Sequence, residues 1–353
     1  MSSSASVGGE ATLGEARVSI VIPAYNAAAY IPEALRSVFA QTFTDFEVIV
    51  VNDGSPDTPA LEVALEPFRE RIRYLQQENG GPSAARNFGI REARGEFVAF
   101  IDSDDAWTPE YLSEQMKVFN TEPAPDLVCS DMKTVGDDRV RPTTLTAKTG
   151  PLQENLSLRN LLLPEYVLLP SCAVVRRSIL FSAGLFDETF MRGEDWDLFM
   201  RIAHQGGRIT VHRKVLGLRR IRAGGLTRAA WETLKDEIRI LNKWKETAGL
   251  PHDIQDLIDQ KLAQVNAYVD LEEGKRLLRN GDTVRSRAAL ERAYQFFGRP
   301  NVQQRTMSTG PANKGLWQLF IRKNKLRALL AGLEYFPGLT ALAMKAGPRV
   351  RSA

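Results

Sequence analysis

Short apolar runs alternate with amphipathic segments through the first 120 residues. Val18 to Ile22 is almost wholly apolar and β-branched, and "FEVIVV" (46–51) and "FVAFI" (97–101) have the same character. Such runs are typical of strands that are covered on both faces. Between the first two, the segment from Tyr30 to Ala40 carries apolar residues at helical spacing. The alternation predicts an α/β fold with a mostly parallel, Rossmann-like sheet flanked by helices.

Further helices are expected near Pro59 to Arg69 and from Pro82 to Gly95, with a short strand, "IRYLQQ", between them. After Thr121 the pattern loosens. Strands are expected in "PDLVCSDM", "PSCAVVRR" and "RITVHRKVLGLRRI", and "GEDWDLFMRIAHQGG" predicts a helix. The chain is then helical from Trp231 to Phe297, with a turn at Asn280 to Asp282, which predicts a C-terminal helical extension.

Polar residues follow three of the predicted strands at the point where each strand ends. They are Ala24 to Asn26, Asn52 to Ser55 and Asp102 to Asp105. In open parallel sheets, ligands bind at the carboxyl edge of the strands. The sequence therefore predicts a ligand site that these three loops share.

The usual phosphate-binding motifs are missing, since there is no G-x-G-x-x-G after the first strand and no G-x-x-x-x-G-K-[ST]. A divalent cation held by carboxylates is another way to bind a nucleotide diphosphate. Asp102 and Asp104 are the candidates for that cation, and Asp105 has no assigned role. The alternative is a helix cap or plain loop. However, Thr108 as cap and Pro109 as first residue already supply a helix start.

Other candidates each have a second interpretation. Asp53 suits a base edge or a ribose, or an Asx-turn before Gly54. Arg86, placed in the first turn of its helix, is unfavourable against the helix dipole unless it faces carboxylates or a diphosphate. It is otherwise a surface arginine. Glu194 and Asp195 start a helix, where acids are favourable on dipole grounds alone. His204 and His212 have no metal-ligand spacing.

Composition and charge add limits. The charged fraction of 25% and the hydrophobic fraction of 43% suit a globular protein. The net charge of +3 hides a strongly basic tail, because ten of the last 55 residues are Lys or Arg and one is acidic. Cys129 and Cys172 are expected to be buried thiols in a reducing compartment. No signal peptide and no transmembrane helix are expected.

Five blocks in order carry a family resemblance. They are "VSIVIPAYN" (18–26), "EVIVVNDGSPD" (47–57), "GGPSAARNFGI" (80–90), "EFVAFIDSDDAW" (96–107) and "GEDWDLFMRIAHQGG" (193–207). Together they resemble the family 2 glycosyltransferases of the GT-A fold. The resemblance implies an inverting, non-processive enzyme that moves a sugar from a nucleotide-diphosphate sugar, most often a UDP-sugar, to an acceptor hydroxyl.

The resemblance also implies roles for individual residues. Asp195 would be the catalytic base, Asp104 and Asp102 would hold Mn²⁺ or Mg²⁺, and Asp102 would also lie near the ribose. The substrate-binding residues would be Pro23, Tyr25, Asn26, Asp53, Gly54, Arg86, Asn87, Asp102, Ser103, Glu194 and Arg222. Arg222 stands where a late family motif commonly has His. Since an arginine cannot ligate a metal, it would pair with the diphosphate instead.

The expected organisation has a disordered N-terminus (1–16), a GT-A domain (17–230), a helical region (231–298) and a basic tail (299–353). Within the domain, 17–120 would bind the nucleotide and 121–230 the acceptor, which would be a saccharide, a lipid-linked sugar or a protein. The expected location is cytoplasmic, with the tail on an anionic membrane surface or, alternatively, as a solvated or partner-docking extension. No nucleic-acid partner is expected. The alternatives are a non-catalytic sugar-nucleotide-binding scaffold and, less well matched, a nucleotidyltransferase, which would need a basic Gly-rich loop after the first strand.

Overall fold

The computed structural model describes residues 16–136, 143–144, 155–163, 168–221, 230–297 and 330. The expectations for 1–15, for Arg222 and for the basic tail apart from Leu330 lie outside these residues. Within the described part of the chain, no helix has both the length and the apolar character needed to cross a membrane.

The described residues form nine strands and ten α-helices. The strands are β1 (Val18–Ala24), β2 (Phe46–Asp53), β3 (Arg73–Gln77), β4 (Phe97–Phe100), β5 (Ala106–Trp107), β6 (Leu127–Gly136), β7 (Thr143–Thr144), β8 (Ala173–Arg176) and β9 (Ile209–Ile221). The helices are α1 (Ile31–Phe39), α2 (Thr58–Leu65), α3 (Gly81–Glu92), α4 (Tyr111–Phe119), α5 (Leu158–Leu162), α6 (Arg177–Ser182), α7 (Glu194–His204), α8 (Ala230–Lys245), α9 (His252–Arg279) and α10 (Thr283–Phe297).

All nine strands belong to one sheet with the order β3-β2-β1-β4-β8-β6-β9-β5, and β7 pairs with β6. The first four are parallel, as the sequence predicts. β8 then runs antiparallel to both β4 and β6, while β6 and β9 are parallel again. The part of the sheet formed by β1 to β4 is therefore Rossmann-like, and the antiparallel pairs of β8 make the whole sheet mixed.

Helices cover both faces of the sheet, because alternate residues of the central strands point to opposite sides. Val21, Val98 and Phe100 pack on the face that carries α3, α5, α7 and α8. Ile20, Ile22 and Ala99 pack on the opposite face, against α1, α2 and α4. Burial on both faces explains why these strands are apolar without interruption.

Two helix starts differ from the sequence-based prediction. α3 begins at Gly81, so Arg86 is its sixth residue and lies in the second turn, where the dipole argument no longer applies. α4 begins at Tyr111 with Glu110 as its N-cap, so Thr108 is not the cap. The cause is β5, which pairs with β9 and extends the chain through Trp107. Thr108 then forms the turn, and its carbonyl accepts the Tyr111 N–H at 3.1 Å.

The C-terminal extension has the predicted turn, since α9 ends at Arg279 and α10 begins at Thr283. α9 contributes to two apolar clusters. Ile254, Ile258 and Leu262 lie in the main core, whereas Leu271 and Leu278 lie in a smaller core with α10. Both cysteines are free and buried, as predicted.

Candidate functional site

A cavity of about 750 Å³ lies at the carboxyl edge of β1, β2 and β4. The three polar loops that the sequence singled out all contribute to its wall, and the N-terminal part of α3 closes one side. The sequence-predicted site residues that line it are Pro23, Tyr25, Asn26, Asp53, Arg86, Asp102, Ser103 and Asp104. The cavity therefore lies at the sheet edge where the parallel-strand rule predicts a ligand site.

Arg86 joins two of the predicted acidic motifs. Its Nη1 donates to Glu194 at 2.7 Å, and its Nη2 donates to Asp102 at 2.7 Å. The Arg86 side chain is only 5% exposed, and its Cζ lies 5.5 Å from the centre of the Phe186 ring. Burial alone would lower the pKa of this guanidinium, but Asp102 and Glu194 outweigh it and raise the pKa. One permanent cation thus offsets part of the repulsion among the acids.

Asp53 shapes the loop that leads into α3. Its carboxylate accepts hydrogen bonds from Gln77 Nε2 at 2.8 Å and from the backbone N–H groups of Gly80 and Gly81 at 2.9 Å each. Gly54 allows this approach, because a Cβ there would lie 2.6 Å from the backbone nitrogen of Asn79. The turn after β2 is bonded by Asn52, whose Oδ1 accepts the Ser55 N–H at 2.9 Å, whereas Asp53 lines the cavity.

The loop after β4 is fixed from two sides. The Asp102 N–H donates to Ser171 Oγ at 3.0 Å. On the other side, Asp105 Oδ1 accepts the backbone N–H of Arg220 at 2.9 Å, and Arg220 Nε donates to the Asp104 carbonyl at 3.2 Å. Burial, together with the charges of Asp102 and Asp104, raises the pKa of Asp105 to about 8. The sequence assigned no role to Asp105. In the structure it bonds β9 to residues 102–105, called here the acidic loop.

Asp195 follows Glu194 at the start of α7. Its Oδ1 accepts the backbone N–H of Trp196 at 2.8 Å. Burial raises the pKa of Asp195 to about 7, and the neighbouring Glu194 adds to this shift, while the Trp196 N–H and Arg86 partly oppose it. A carboxylate that titrates near neutral pH is suited to taking up a proton.

Four of the sequence-predicted residues do not line the cavity wall themselves. Glu194 is joined to the cavity wall through Arg86, and Asp195 follows Glu194 directly in the chain. Gly54 leaves room for the close approach of Asn79, which lines the cavity. Asn87 is buried and holds the chain before α7, since its Nδ2 donates to the Phe186 carbonyl and to Glu188 Oε1, both at 2.8 Å.

Several cavity residues were not identified from the sequence. They are Tyr30, Asn79, Met191, Arg219 and Arg220, among others. Met191 packs on Gly81, where a Cβ would lie 3.0 Å from the methionine sulfur. Gly81 has a φ of +84°, which disfavours any residue with a side chain. The Gly80–Gly81 pair indicates that another part of the chain approaches closely here. The sequence does not show that this part is Met191, which lies 110 positions after Gly81.

The acidic loop suits a hard divalent cation. Among the described residues, no group of three or more His, Cys, Asp or Glu side chains is arranged to hold a metal ion. Mg²⁺ and similar ions, however, are commonly held by one or two carboxylates, with the substrate phosphates completing the shell. Asp102 and Asp104 both line the cavity, and burial followed by the charges of these two residues raises the pKa of Asp105. The donor set and the excess negative charge therefore fit such an ion.

Comparison with known sequences gives consistent matches. Residues 19–181 match the model of "Glycosyl transferase family 2". The uncharacterized glycosyltransferase RP339 of Rickettsia prowazekii is 34% identical over 226 residues, which cover 62% of this chain and 68% of that protein. The succinoglycan biosynthesis protein ExoW of Rhizobium meliloti is 48% identical over 102 residues, 28% of this chain and 32% of that one. The chain spans between 27% and 68% of the length of five rickettsial relatives.

Two solved structures share the fold. S. aureus TarS 1-349 in complex with UDP-GlcNAc superimposes with a TM-score of 0.60 at 24% identity, over 94% of this chain and 90% of that chain. The mannosyltransferase PcManGT from Pyrobaculum calidifontis, in complex with GDP-Man and Mn²⁺, gives a TM-score of 0.56 at 18% identity, over 96% and 89%. The likeness extends through the C-terminal helices and confirms the GT-A fold. The order of the motifs, the sheet and these matches lead to one conclusion: the chain belongs to glycosyl transferase family 2.

Proposed function

We propose that this protein is an inverting, non-processive glycosyltransferase that moves a hexose from a nucleotide-diphosphate sugar to an acceptor hydroxyl. The observation that carries the proposal is the double contact of Arg86, which joins Asp102 of the acidic loop to Glu194 of the next acidic pair. This contact links the proposed donor-binding residues to the helix start that carries the proposed base, beside a cavity of about 750 Å³, a volume that suits a nucleotide sugar.

The donor is proposed to lie along the cavity with its base between Tyr25 and Asp53. The Tyr25 side chain is 43% exposed at the cavity, so its ring is available to stack on a base. Pro23 and Asn26 continue this wall, and Asn26 is held by the hydroxyl of Ser55, which accepts its N–H at 2.8 Å. A uridine diphosphate sugar is the leading candidate, as in the complex of TarS.

The diphosphate end is proposed to face the acidic loop. Asp104 and Asp102 would hold Mn²⁺ or Mg²⁺, which supplies positive charge to the leaving diphosphate when it is bound. Ser103 lies between them in the cavity wall. Arg86 and Arg222, the latter outside the described residues, are proposed to add cationic groups.

Asp195 is proposed as the general base. The carboxylate takes the proton from the acceptor hydroxyl as the acceptor oxygen forms its bond to the anomeric carbon. The bond between that carbon and the diphosphate oxygen breaks on the opposite side, and the nucleoside diphosphate leaves. A single displacement of this kind inverts the anomeric centre. Glu194 is buried against Arg86, which fixes the start of α7, and Glu194 is proposed to orient the acceptor or the donor.

The acceptor is proposed to be a growing polysaccharide, a glycolipid or a glycoprotein. The match to ExoW, a succinoglycan biosynthesis protein, supports the first of these. We place the reaction in the cytoplasm, on the basis of the two free thiols, with the basic tail at the inner face of the membrane. Sedimentation with anionic liposomes tests the tail: a chain that lacks 299–353 is expected to pellet less, and equal pelleting contradicts the contact.

A thermal-shift panel tests the donor. UDP-GlcNAc, UDP-galactose and GDP-mannose are each added with Mn²⁺ and with EDTA, and release of the nucleoside diphosphate is then measured with water or a saccharide as acceptor. A ligand at 100 times its Kd stabilises the folded state by about 2.7 kcal/mol, which raises Tm by several degrees. No shift with any nucleotide sugar would contradict the proposal. Binding with no turnover in any acceptor mixture would favour the non-catalytic scaffold.

A further inference from the structure

One face of α8 contacts the segment that leads into the proposed catalytic acids. This segment, residues 187–197, is called here the base segment, since it contains Glu194 and Asp195. The α8 residues that face it are Asp236, Arg239, Ile240, Lys243 and Trp244, which follow helical spacing. α8 lies beyond both the 19–181 family match and the five sequence blocks, so neither gives it a role.

Lys243 bridges the two ends of the base segment. Its Nζ donates to Asp187 Oδ2 at 2.7 Å and to Asp197 Oδ2 at 3.0 Å. Nζ also lies 5.3 Å from the centre of the Phe190 ring, in the middle of the segment. Burial would raise the pKa of Asp187, but the bonds from Lys243 and Thr189 outweigh it and lower the pKa to about 2. The Asp187 end of this bridge therefore stays charged at neutral pH.

Asp197 is the second anchor. Its side chain is fully buried, and it accepts Arg201 Nε at 2.9 Å and Trp244 Nε1 at 3.1 Å in addition to Lys243. A buried carboxylate with three donors is held in one orientation. Asp197 lies two residues after Asp195 on the first turns of α7, so its position sets the direction in which that helix begins.

The middle of the base segment touches both α8 and the cavity. Arg239 Nη2 donates to the Thr189 carbonyl at 3.2 Å, and Ser83 Oγ from α3 donates to the Phe190 carbonyl at 3.2 Å. Met191 lines the cavity. Gly193 has a φ of +75°, and a Cβ there would lie 2.9 Å from Ile240 Cδ1, so α8 packs directly on the turn before Glu194.

We propose that Lys243 is a positioning residue of the transferase reaction, which fixes Asp195 against the donor by joining Asp187 to Asp197. The inference rests on the proposed function, because it assigns Lys243 a role in orienting the proposed base. In this role α8, which lies outside the family match, contributes to turnover rather than to donor binding. Misplacing a reacting group by about 1 Å can reduce the rate about 100-fold, even when the change lies away from the chemistry.

The central test compares Lys243→Met with Lys243→Arg. Methionine keeps an apolar stem against Phe190 but removes the charge and both bonds, whereas arginine can still bridge two carboxylates. We expect Lys243→Met to lower kcat for UDP release from UDP-GlcNAc with Mn²⁺, or from GDP-mannose if the panel selects it, at least tenfold. Its donor Kd from calorimetry should stay within about twofold of wild type. Lys243→Arg should recover most of the rate.

Asp187→Asn provides a second route if the methionine variant does not fold. It breaks the link from Lys243 to the loop but leaves Asp197 with its three donors, and the remaining carbonyl can still accept the Thr189 bonds. A fall in kcat with unchanged donor Kd is expected here as well. Lys245→Met is the matched control, since this lysine, on the same helix, is 56% exposed and pairs with Asp259 on α9.

The outcomes separate this inference from the proposed function. The positioning role alone would be overturned if the Lys243→Met and Asp187→Asn variants were fully active. In that case the wild-type chain would be active and the Asp195→Asn variant inactive. A parallel loss of donor binding, Tm and rate, without recovery in Lys243→Arg, would show a merely structural lysine and would also overturn it. No donor binding and no turnover by the wild-type chain would overturn both.

Discussion

The guanidinium of Arg86 lies 2.7 Å from Glu194, a residue 108 positions further along the chain. The contact is buried, and the second arm of the same guanidinium reaches Asp102. The start of α7 is therefore bonded to the end of β4 through a side chain of α3. Arg86 therefore fixes the distance between the acidic loop, which is proposed to hold the metal, and the start of α7, which carries the proposed base.

Arg86→Met is expected to inactivate the protein and to destabilise it. Removing one partner of a buried ion pair typically costs about 3–5 kcal/mol, because the remaining charge is left uncompensated. Glu194 is 7% exposed and would be that charge. Urea unfolding measures the loss. Arg91→Met, at an exposed position of the same helix, is the control and is expected to unfold like wild type. Unchanged stability of the Arg86 variant would contradict the role of this contact.

Asp104→Asn is expected to weaken metal-dependent donor binding. Since the amide carries no charge, the donor Kd with Mn²⁺ should rise at least tenfold, toward the value that the wild-type chain shows in EDTA. Calorimetry with UDP-GlcNAc measures both values. Glu110→Gln changes an exposed acid a few residues further along and should have no effect. Equal affinity of the Asp104 variant and wild type would exclude Asp104 as a metal ligand.

The rate is expected to rise with pH up to about pH 7. Asp195 acts as a base only when it is ionised, and its pKa is raised to about 7, first by burial and then by Glu194. Below that pH, kcat/KM should fall about tenfold per pH unit. Asp195→Asn should lose at least 100-fold in rate and keep donor binding. A flat profile between pH 5 and pH 8, or an active Asn variant, would remove Asp195 as the base.

His212 is expected to contribute to acid unfolding. Its Nε2 lies 3.0 Å from Gln115 Oε1, and burial, with Lys214, lowers its pKa from 6.5 to about 4. As pH falls through this window, the unfolded chain takes up a proton that the folded chain does not. The free energy of unfolding therefore decreases, by at most about 3 kcal/mol at pH 4.

The test is urea unfolding at pH 7 and pH 4.5. His212→Gln should lose less stability between the two pH values than wild type. His252→Gln, at a side chain that is 87% exposed, should follow wild type. Equal pH dependence in all three chains would show that His212 is not the group that titrates.

The sequence predicted well that the loops after β1, β2 and β4 meet at one cavity, because this part of the fold obeys local rules. β1, β2 and β4 are uninterrupted apolar runs, and parallel strands bring their polar ends to one edge. Met191 and Arg220 reach the same cavity from segments about 90 or more positions beyond the acidic loop, and no local pattern specifies such contacts. Short runs such as β8 also do not reveal their partners, so the antiparallel pairs could not be predicted. The sequence-based start of α3 at Pro82 was one residue late, since the helix begins at Gly81.

The 28 residues of α9 extend for about 42 Å, and this one helix serves two apolar cores. Ile258 packs in the main core and Leu278 in the small core with α10. The α9–α10 hairpin is thus connected to the main core by a continuous helix rather than by a flexible linker. A chain ending at residue 230 would expose the apolar sides of α5 and α7 to solvent. We therefore expect residues 17–297 to melt in a single calorimetric transition, with the hairpin as part of the catalytic body.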